Sequence, residues 1–184
     1  MRLIRSVCTS FSHSFNSGDL STAAALADKG LRLALRAGNR TWIGALQVGQ
    51  QLVRFYRADL AGAENHFASA REFFNDPVLR QDPHNSAIGA FAHASFNAWI
   101  MGRADLARQR LAEVRTWINR ANPHDLPQSD EFAAWLHALL RENENVEIFA
   151  ARSLELYEKK SIPSWHCAFR VLARLRTSTA RERF

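Results

Sequence analysis

The segment Arg-Ala-Asp-Leu-Ala occurs twice in this chain: in YRADLAGAENHFASAREFF, residues 56–74, and in MGRADLARQRLAEVRTWI, residues 101–118. Each copy leads into a stretch in which apolar residues recur every three or four positions, the spacing of one face of an α-helix. An aspartate favours the first turn of a helix because it interacts with the exposed N–H groups and the positive dipole end. We therefore predict that the segment marks the start of the second helix in a repeated helical pair.

Similar residue types recur at two further points, DLS at residues 19–21 and, more weakly, ENV at residues 144–146. The intervals between the acidic residues Asp19, Asp59, Asp105 and Glu144 are 40, 46 and 39 residues. The small residue two places after the acid is expected to let the paired helices approach closely. A period of this length is typical of helical-hairpin arrays, in which stacked neighbours together form the core.

The sequence thus predicts an all-α fold: a tetratricopeptide-type helical-hairpin solenoid of four helix pairs and a trailing helix. Prolines and the glycine-containing segments separate the periodic stretches, and no long apolar–polar alternation indicates a strand. The stretch 87–101 is apolar nearly all round and is expected at the centre of the fold. The predicted array covers residues 1–176, with pairs at about 2–36, 41–74, 87–120 and 129–160, a loop at 75–86, a trailing helix at 163–176 and a disordered basic tail at 177–184.

The composition fits a soluble globular protein: 184 residues, 47% hydrophobic and 23% charged. The net charge is +6, and it comes from 21 Arg against 3 Lys. This bias has two interpretations, the codon usage of a GC-rich genome or a functional basic surface. Cys8 and Cys167 form no CxxC pair, which argues against a zinc site or a disulfide framework. Without an apolar run of signal-sequence or membrane-span length, the prediction is a cytoplasmic protein with no membrane partner.

Motifs of catalysis and metal binding are not found in the sequence. There is no HExxH, no Cys/His cluster with ligand spacing and no GxSxG. We therefore predict no enzymatic activity, no cofactor and no metal. Each tryptophan falls on the apolar stripe of its predicted helix, which favours core packing over an aromatic platform for nucleic acid.

Polar side chains at four-residue spacing lie on the odd-numbered predicted helices, which line the concave surface of tetratricopeptide-type arrays. Such spacing puts residues on one helix face. They predict a polar, partly cationic groove for an acidic peptide or helix, and the alternative is that they are ordinary solvated faces. The candidate groove residues are Gln47, Gln51, Arg54, His93, Asn97, His137, Arg141, His166, Arg170 and Arg174.

WIMGRADLARQRLAEV at residues 99–114 and FAAWLHALLRENENVEIFAARSLELYEKKSIPSW at residues 132–165 resemble the repeat-rich C-terminal region of bacterial multidomain regulators. Those proteins couple such an array to an ATPase module, often with a nucleotide cyclase or winged-helix domain. The resemblance covers about residues 40–172 and rests on the AAWLH segment at 133–137 and the IPSW segment at 162–165. It departs from the pattern at Arg141 and Ser161, where glycine is usual, and at the polar HDLPQSDE that follows Pro123. No phosphate-binding GxxxxGK[ST] is present, so the resemblance implies an interaction array without those activities.

The expected function is therefore a non-enzymatic, regulatory scaffold that binds a protein or peptide. Two alternatives remain open: an inactive remnant of a larger ATPase-type regulator, and a weak nucleic-acid binder that uses its arginine-rich surface. The apolar ends of an open array also favour self-association.

Overall fold

A computed structural model describes residues 2–80 and 86–159 of the chain. Within these ranges the secondary structure is helical without strands, which confirms the all-α prediction. The predicted trailing helix at 163–176 and the tail at 177–184 lie outside the described residues. The α-helices are α1 Arg2–Asn16, α2 Leu20–Arg36, α3 Arg40–Tyr56, α4 Leu60–Arg71, α5 Pro77–Arg80, α6 Ser86–Ile100, α7 Ala104–Val114, α8 Asp125–Leu139 and α9 Asn143–Lys159.

One turn geometry joins α1 to α2, α2 to α3, α3 to α4, α6 to α7 and α8 to α9. In each turn a residue with a left-handed backbone follows the helix, with φ between 59° and 82°. The next residue donates its backbone N–H to the carbonyl five residues earlier, at 2.8–3.1 Å, and the following helix begins directly after it. This is the Schellman type of helix end, and it reverses the chain within three residues. The left-handed residues are Gly18, Gly38, Ala58, Gly102 and Arg141.

The turns correct the alignment that the repeated segment suggested. Asp59 follows the left-handed Ala58 and is the N-cap of α4, whereas Arg103 follows Gly102 and is the N-cap of α7. Asp105 therefore lies two positions further into its helix than Asp59 does. The small residue two places after the acid is exposed at Ala61, and the buried alanine that lets the helices approach lies four places after the N-cap. That alanine is Ala23 in α2, Ala63 in α4 and Ala107 in α7.

Two helix starts differ from the prediction because proline is compatible with a first helical turn. The region 77–80, expected to be loop, forms α5, and the Asp76 carboxylate accepts the Val78 N–H at 2.8 Å. The predicted start at Ser129 was wrong, because α8 begins at Asp125 with Pro127 in its first turn. The N–H groups of the first helical turn have no acceptor within the helix, so a proline in that turn removes no helical hydrogen bond.

Two helix ends come earlier than predicted. α4 ends at Arg71 rather than Phe74, and Phe73 donates its N–H to the Ala70 carbonyl in a tighter i→i+3 bond. α7 ends at Val114 rather than Arg120 and continues as a short 3-10 turn, Arg115–Trp117. Such turns commonly end α-helices, because they satisfy carbonyls that have no i+4 partner.

The chain divides into two compact units, Met1–Trp117 and Ile118–Phe184. In the first unit, α3 and α6 run parallel: the Gln51 amide contacts the Ala90 carbonyl, and Tyr56 contacts His93 further along both helices. α4 runs antiparallel to α6, since Asn97 bonds to the Leu60 carbonyl. Most of the apolar stretch 87–101 lies in the interior of this unit, since nearly every residue from 87 to 98 is buried. Its end differs from the prediction, because Ile100 and Met101 are exposed.

The second unit contains the antiparallel pair α8 and α9. Ala134 and Ala150 form its small buried cluster, and the half-buried Trp135 and Phe149 pack against it. Asp130 is buried, and its two carboxylate oxygens accept hydrogen bonds from Nε and Nη2 of Arg152. In neither described range is any helix long and apolar enough to cross a bilayer.

Candidate binding face

Three of the predicted groove residues lie in the interior of the first unit. Gln51, His93 and Asn97 are 2%, 8% and 2% exposed. The Gln51 amide donates to the Ala90 carbonyl at 2.7 Å, and the Asn97 amide donates to the Leu60 carbonyl at 3.0 Å. The expectation that these three side chains line a solvated groove is therefore wrong, because they link neighbouring helices instead.

Two further groove residues of the first unit, Gln47 and Arg54, interact with α4 or its start. The Gln47 Oε1 atom lies 2.7 Å from the His66 Nδ1 atom. Arg54 forms an ion pair of 2.8 Å with Asp59. Both side chains are half-buried, and their polar groups are engaged within the unit rather than presented together on one open face.

The second unit holds His137 and Arg141. The His137 ring stacks on Phe149 with a centroid distance of 5.2 Å, and its Nδ1 atom lies 2.6 Å from the Glu142 carboxylate. Arg141 is exposed and occupies the left-handed turn position, with φ of 60°. His166, Arg170 and Arg174 lie outside the described residues, so the groove stays a prediction for them.

The face that the first unit does present is aromatic. Phe15 lies 5.5 Å from Tyr56 and 5.8 Å from Phe11, measured between ring centroids, so α1 and α3 are joined by ring contacts. Phe55 lies 5.2 Å from Tyr56 and 5.5 Å from His93, which extends the contacts from α3 to α6. We call this set the aromatic strip: Phe11, Phe15, Phe55, Tyr56, His93 and Phe96.

The residues of the strip differ in solvent exposure: some are buried supports, and others are accessible to a partner. His93 and Phe96 are buried, and Phe11, Phe15 and Phe55 are half-buried. Tyr56 is 48% exposed although its ring contacts Phe15, Phe55 and His93. The accessible part of the strip is thus the end of α3, resting on a packed aromatic base.

Hydrogen bonds determine which atoms of the Tyr56–His93 pair carry a proton. The His93 Nδ1 atom lies 2.8 Å from the Gly89 carbonyl, which can only accept, so Nδ1 carries the proton. Nε2 then accepts from the Tyr56 hydroxyl at 3.2 Å. Burial lowers the pKa of His93 to about 4 and also raises the pKa of Tyr56. Both groups are therefore neutral near pH 7, and neither gives the strip a charge.

Of the residues in the strip, only His93 was predicted from the sequence to belong to a binding site, and it was expected in a polar groove. A usable signal was the adjacent pair Phe55-Tyr56 at a helix end, since consecutive residues of a helix point in directions about 100° apart and a helix end is packed on fewer sides than its middle. An aromatic pair in that position favours exposure of one of the two rings.

The tryptophans do not form an exposed platform within the described ranges. Trp42, Trp99, Trp117 and Trp135 are half-buried, and Trp165 lies outside these ranges. Trp117 packs 5.6 Å from Phe74 and 5.9 Å from Phe91 between ring centroids, so it belongs to the aromatic core of the first unit.

No group of three or more His, Cys, Asp or Glu side chains in the described part of the chain is arranged to hold a metal ion. Comparison of the chain with protein-family models, with curated proteins and with solved structures returned no match.

Proposed function

We propose that this chain is a non-enzymatic helical-repeat scaffold of tetratricopeptide type that binds a protein or peptide in a regulatory role. The recurring turn supports the repeat architecture: it joins the helices of three successive hairpins by the same backbone geometry, at Gly18, Ala58 and Gly102. The parallel packing of α3 and α6 supports it too, since stacked hairpins bring their first helices into parallel register.

The observation that carries the binding role is the exposed Tyr56 on the aromatic strip. A large aromatic side chain that is 48% exposed, and that lies in a row of contacting rings, offers a partner apolar contact area. Tyrosine in such a setting is enriched among residues that dominate binding energies. The proposed binding face is therefore the accessible part of the strip rather than a polar groove.

The fixed position of the Tyr56 side chain also favours binding of a partner. The hydroxyl of Tyr56 is tied to His93, and its ring is held between Phe15 and Phe55. A side chain that is already ordered loses little rotamer entropy when a partner binds, so more of the contact energy appears as affinity.

The test compares affinity capture from cell lysate by the native chain, by Tyr56→Ser and by Leu35→Ser. Leu35 is the matched control, because it is 55% exposed at the end of α2 and belongs to no ring contact of the strip. We expect a protein partner that survives nuclease treatment, is lost with Tyr56→Ser and is kept with Leu35→Ser. Circular dichroism of each variant confirms that the helices are intact.

Other outcomes separate the alternatives. If the captured material is lost after nuclease treatment and its binding weakens steeply with salt, the chain binds nucleic acid through its arginines. A folded chain that captures no specific partner would favour the remnant of a larger regulator. Equal loss of the partner in both variants would remove the strip from the binding face.

A further inference from the structure

α3 and α6 present exposed apolar residues at equivalent positions. Tyr56 is 48% exposed and Ile100 is 49% exposed, and each is the last residue of its helix, two positions before the left-handed turn residue. Met101 follows Ile100 and is 37% exposed. Because α3 and α6 are parallel neighbours, both helices end in the same direction, with Ile100 about two turns beyond the level at which Tyr56 contacts His93. We call this part of the first unit the edge.

The spacing of this edge suits a helical partner. Tyr56 packs on His93, and Ile100 lies on the same face of α6, seven residues further along. Seven residues of α-helix span about 10 Å, which is also the distance between side chains at i and i+7 of a bound helix. Apolar anchors at i and i+7 of an amphipathic helix would therefore contact Tyr56 and Ile100 together.

The positive charge of the edge favours a partner with negative charge. Exposed Arg57 follows Tyr56, and exposed Arg103 comes three residues after Ile100. The nearby carboxylates have cationic partners within the unit: Asp59 pairs with Arg54 and Glu64 pairs with Arg110. The exposed Asp105 pairs with Arg108. Residues 1–117 contain 14 Lys and Arg against 9 Asp and Glu, so the surrounding unit is also basic.

We propose that this edge is a docking site for an acidic amphipathic helix, whose apolar face lies on Tyr56 and Ile100 and whose carboxylates meet Arg57 and Arg103. The proposal rests on the proposed function and names the chemistry of the partner. Arginine matches carboxylates by its paired donors, and the turn positions of Arg57 and Arg103 place one cation beside each apolar anchor.

The probe is a labelled amphipathic helical peptide with Leu and Trp at i, i+4, i+7 and i+11 and Glu at the remaining surface positions. Two peptide controls carry Gln or Lys in place of Glu. Fluorescence anisotropy measures binding to the native chain and to two variants, Arg57→Gln/Arg103→Gln and Tyr56→Ser. The matched variant control is Arg32→Gln/Arg36→Gln, which removes two exposed cations from α2.

We expect the Glu peptide to bind about tenfold more tightly than the Gln peptide, a gain that two exposed ion pairs can supply, and the Lys peptide to bind least. The Arg57→Gln/Arg103→Gln variant should bind the Glu and Gln peptides equally, while the Arg32→Gln/Arg36→Gln control keeps the preference. Tyr56→Ser should weaken binding of both peptides.

Three results would overturn the proposal, and they bear differently on the proposed function. Equal binding of the Glu and Gln peptides, still lost with Tyr56→Ser, removes the acidic partner but leaves the aromatic face as a peptide site. An acidic preference that the Arg32→Gln/Arg36→Gln control abolishes moves the charge recognition to α2. Concentration-dependent dimers of the chain alone, dissociated by Tyr56→Ser in sedimentation, make a second copy the occupant.

Discussion

Asp59 and Arg103 occupy the same position in the repeat, although the repeated segment RADLA aligns Asp59 with Asp105. Each follows a left-handed residue and each is the N-cap of the second helix in its pair. The Asp59 carboxylate accepts the Gly62 N–H at 2.9 Å, whereas Arg103 makes no side-chain cap. The turn, rather than the five-residue identity, defines the repeat.

The unequal caps predict that Arg103→Asn is more stable than Arg103→Ala. An asparagine at this position can accept a backbone N–H of the first turn of α7, which is worth about 1 kcal/mol. Both variants are neutral at this position and both remove the attraction between Arg103 and Glu64, so their difference reports the cap. Urea unfolding measures it, and equal midpoints for the two variants would show that the start of α7 gains nothing from a side-chain acceptor.

The left-handed backbone of Ala58 leads us to expect that glycine at this position stabilises the protein. Its φ of 59° is a left-handed conformation that costs a residue with a Cβ about 1 kcal/mol, whereas three of the five equivalent turn positions are glycine. We expect Ala58→Gly to raise the free energy of unfolding by that amount. Ala61→Gly, on the exposed face of α4, is the control and should lower it by about 1 kcal/mol. Thermal and urea unfolding of both variants test the opposite signs, and a loss at both positions would contradict the assignment of the turn.

Acid should destabilise the first unit through His93. Burial lowers its pKa from 6.5 to about 4, so below pH 6.5 the unfolded chain binds a proton that the folded chain does not. The stability is therefore complete above pH 6.5 and falls as the pH drops towards 4, by about 3 kcal/mol for this one group. Replacing His93 with Gln should flatten that dependence, while His13→Gln, at an exposed position of α1, should leave it unchanged. Hydrogen exchange of the α3 and α6 amides locates the effect.

The burial of Glu131 leads us to expect the opposite pH dependence for the stability of the second unit. Burial raises its pKa from 4.5 to about 7, although the hydrogen bond from Tyr157 acts to lower it. Its contribution to stability is complete below pH 4.5 and is lost as the pH rises through about 7, on the order of 3 kcal/mol. Glu131→Gln keeps an acceptor for Tyr157 and should abolish this loss, whereas Glu155→Gln, at an exposed position of α9, should not. If exchange of the α8 amides has the same pH dependence in all three proteins, Glu131 does not titrate in this range.

Several features of the fold could be predicted from the sequence because they depend on local interactions. The helices follow from the spacing of apolar residues, and the left-handed caps at Gly38 and Gly102 follow from the freedom of glycine at positive φ. Arg141, noted as a residue where glycine is usual, does occupy a left-handed turn. The burial of most of α6 within the first unit was also predictable, because a helix that is apolar on nearly all sides has no face suited to water.

The candidate site depended on contacts between helices that are distant in sequence. Periodicity cannot distinguish a polar residue on a solvated face from one that bonds across an interface, so the burial of Gln51, His93 and Asn97 was not predictable. The aromatic strip joins Phe15 on α1, Tyr56 on α3 and His93 on α6, and only the packing of the hairpins brings them together. The sequence by itself determined most of the helices and the glycine turns, because those are set by neighbours along the chain. Only the tertiary structure decided which side chains a partner can reach, because burial is a property of the assembled helices.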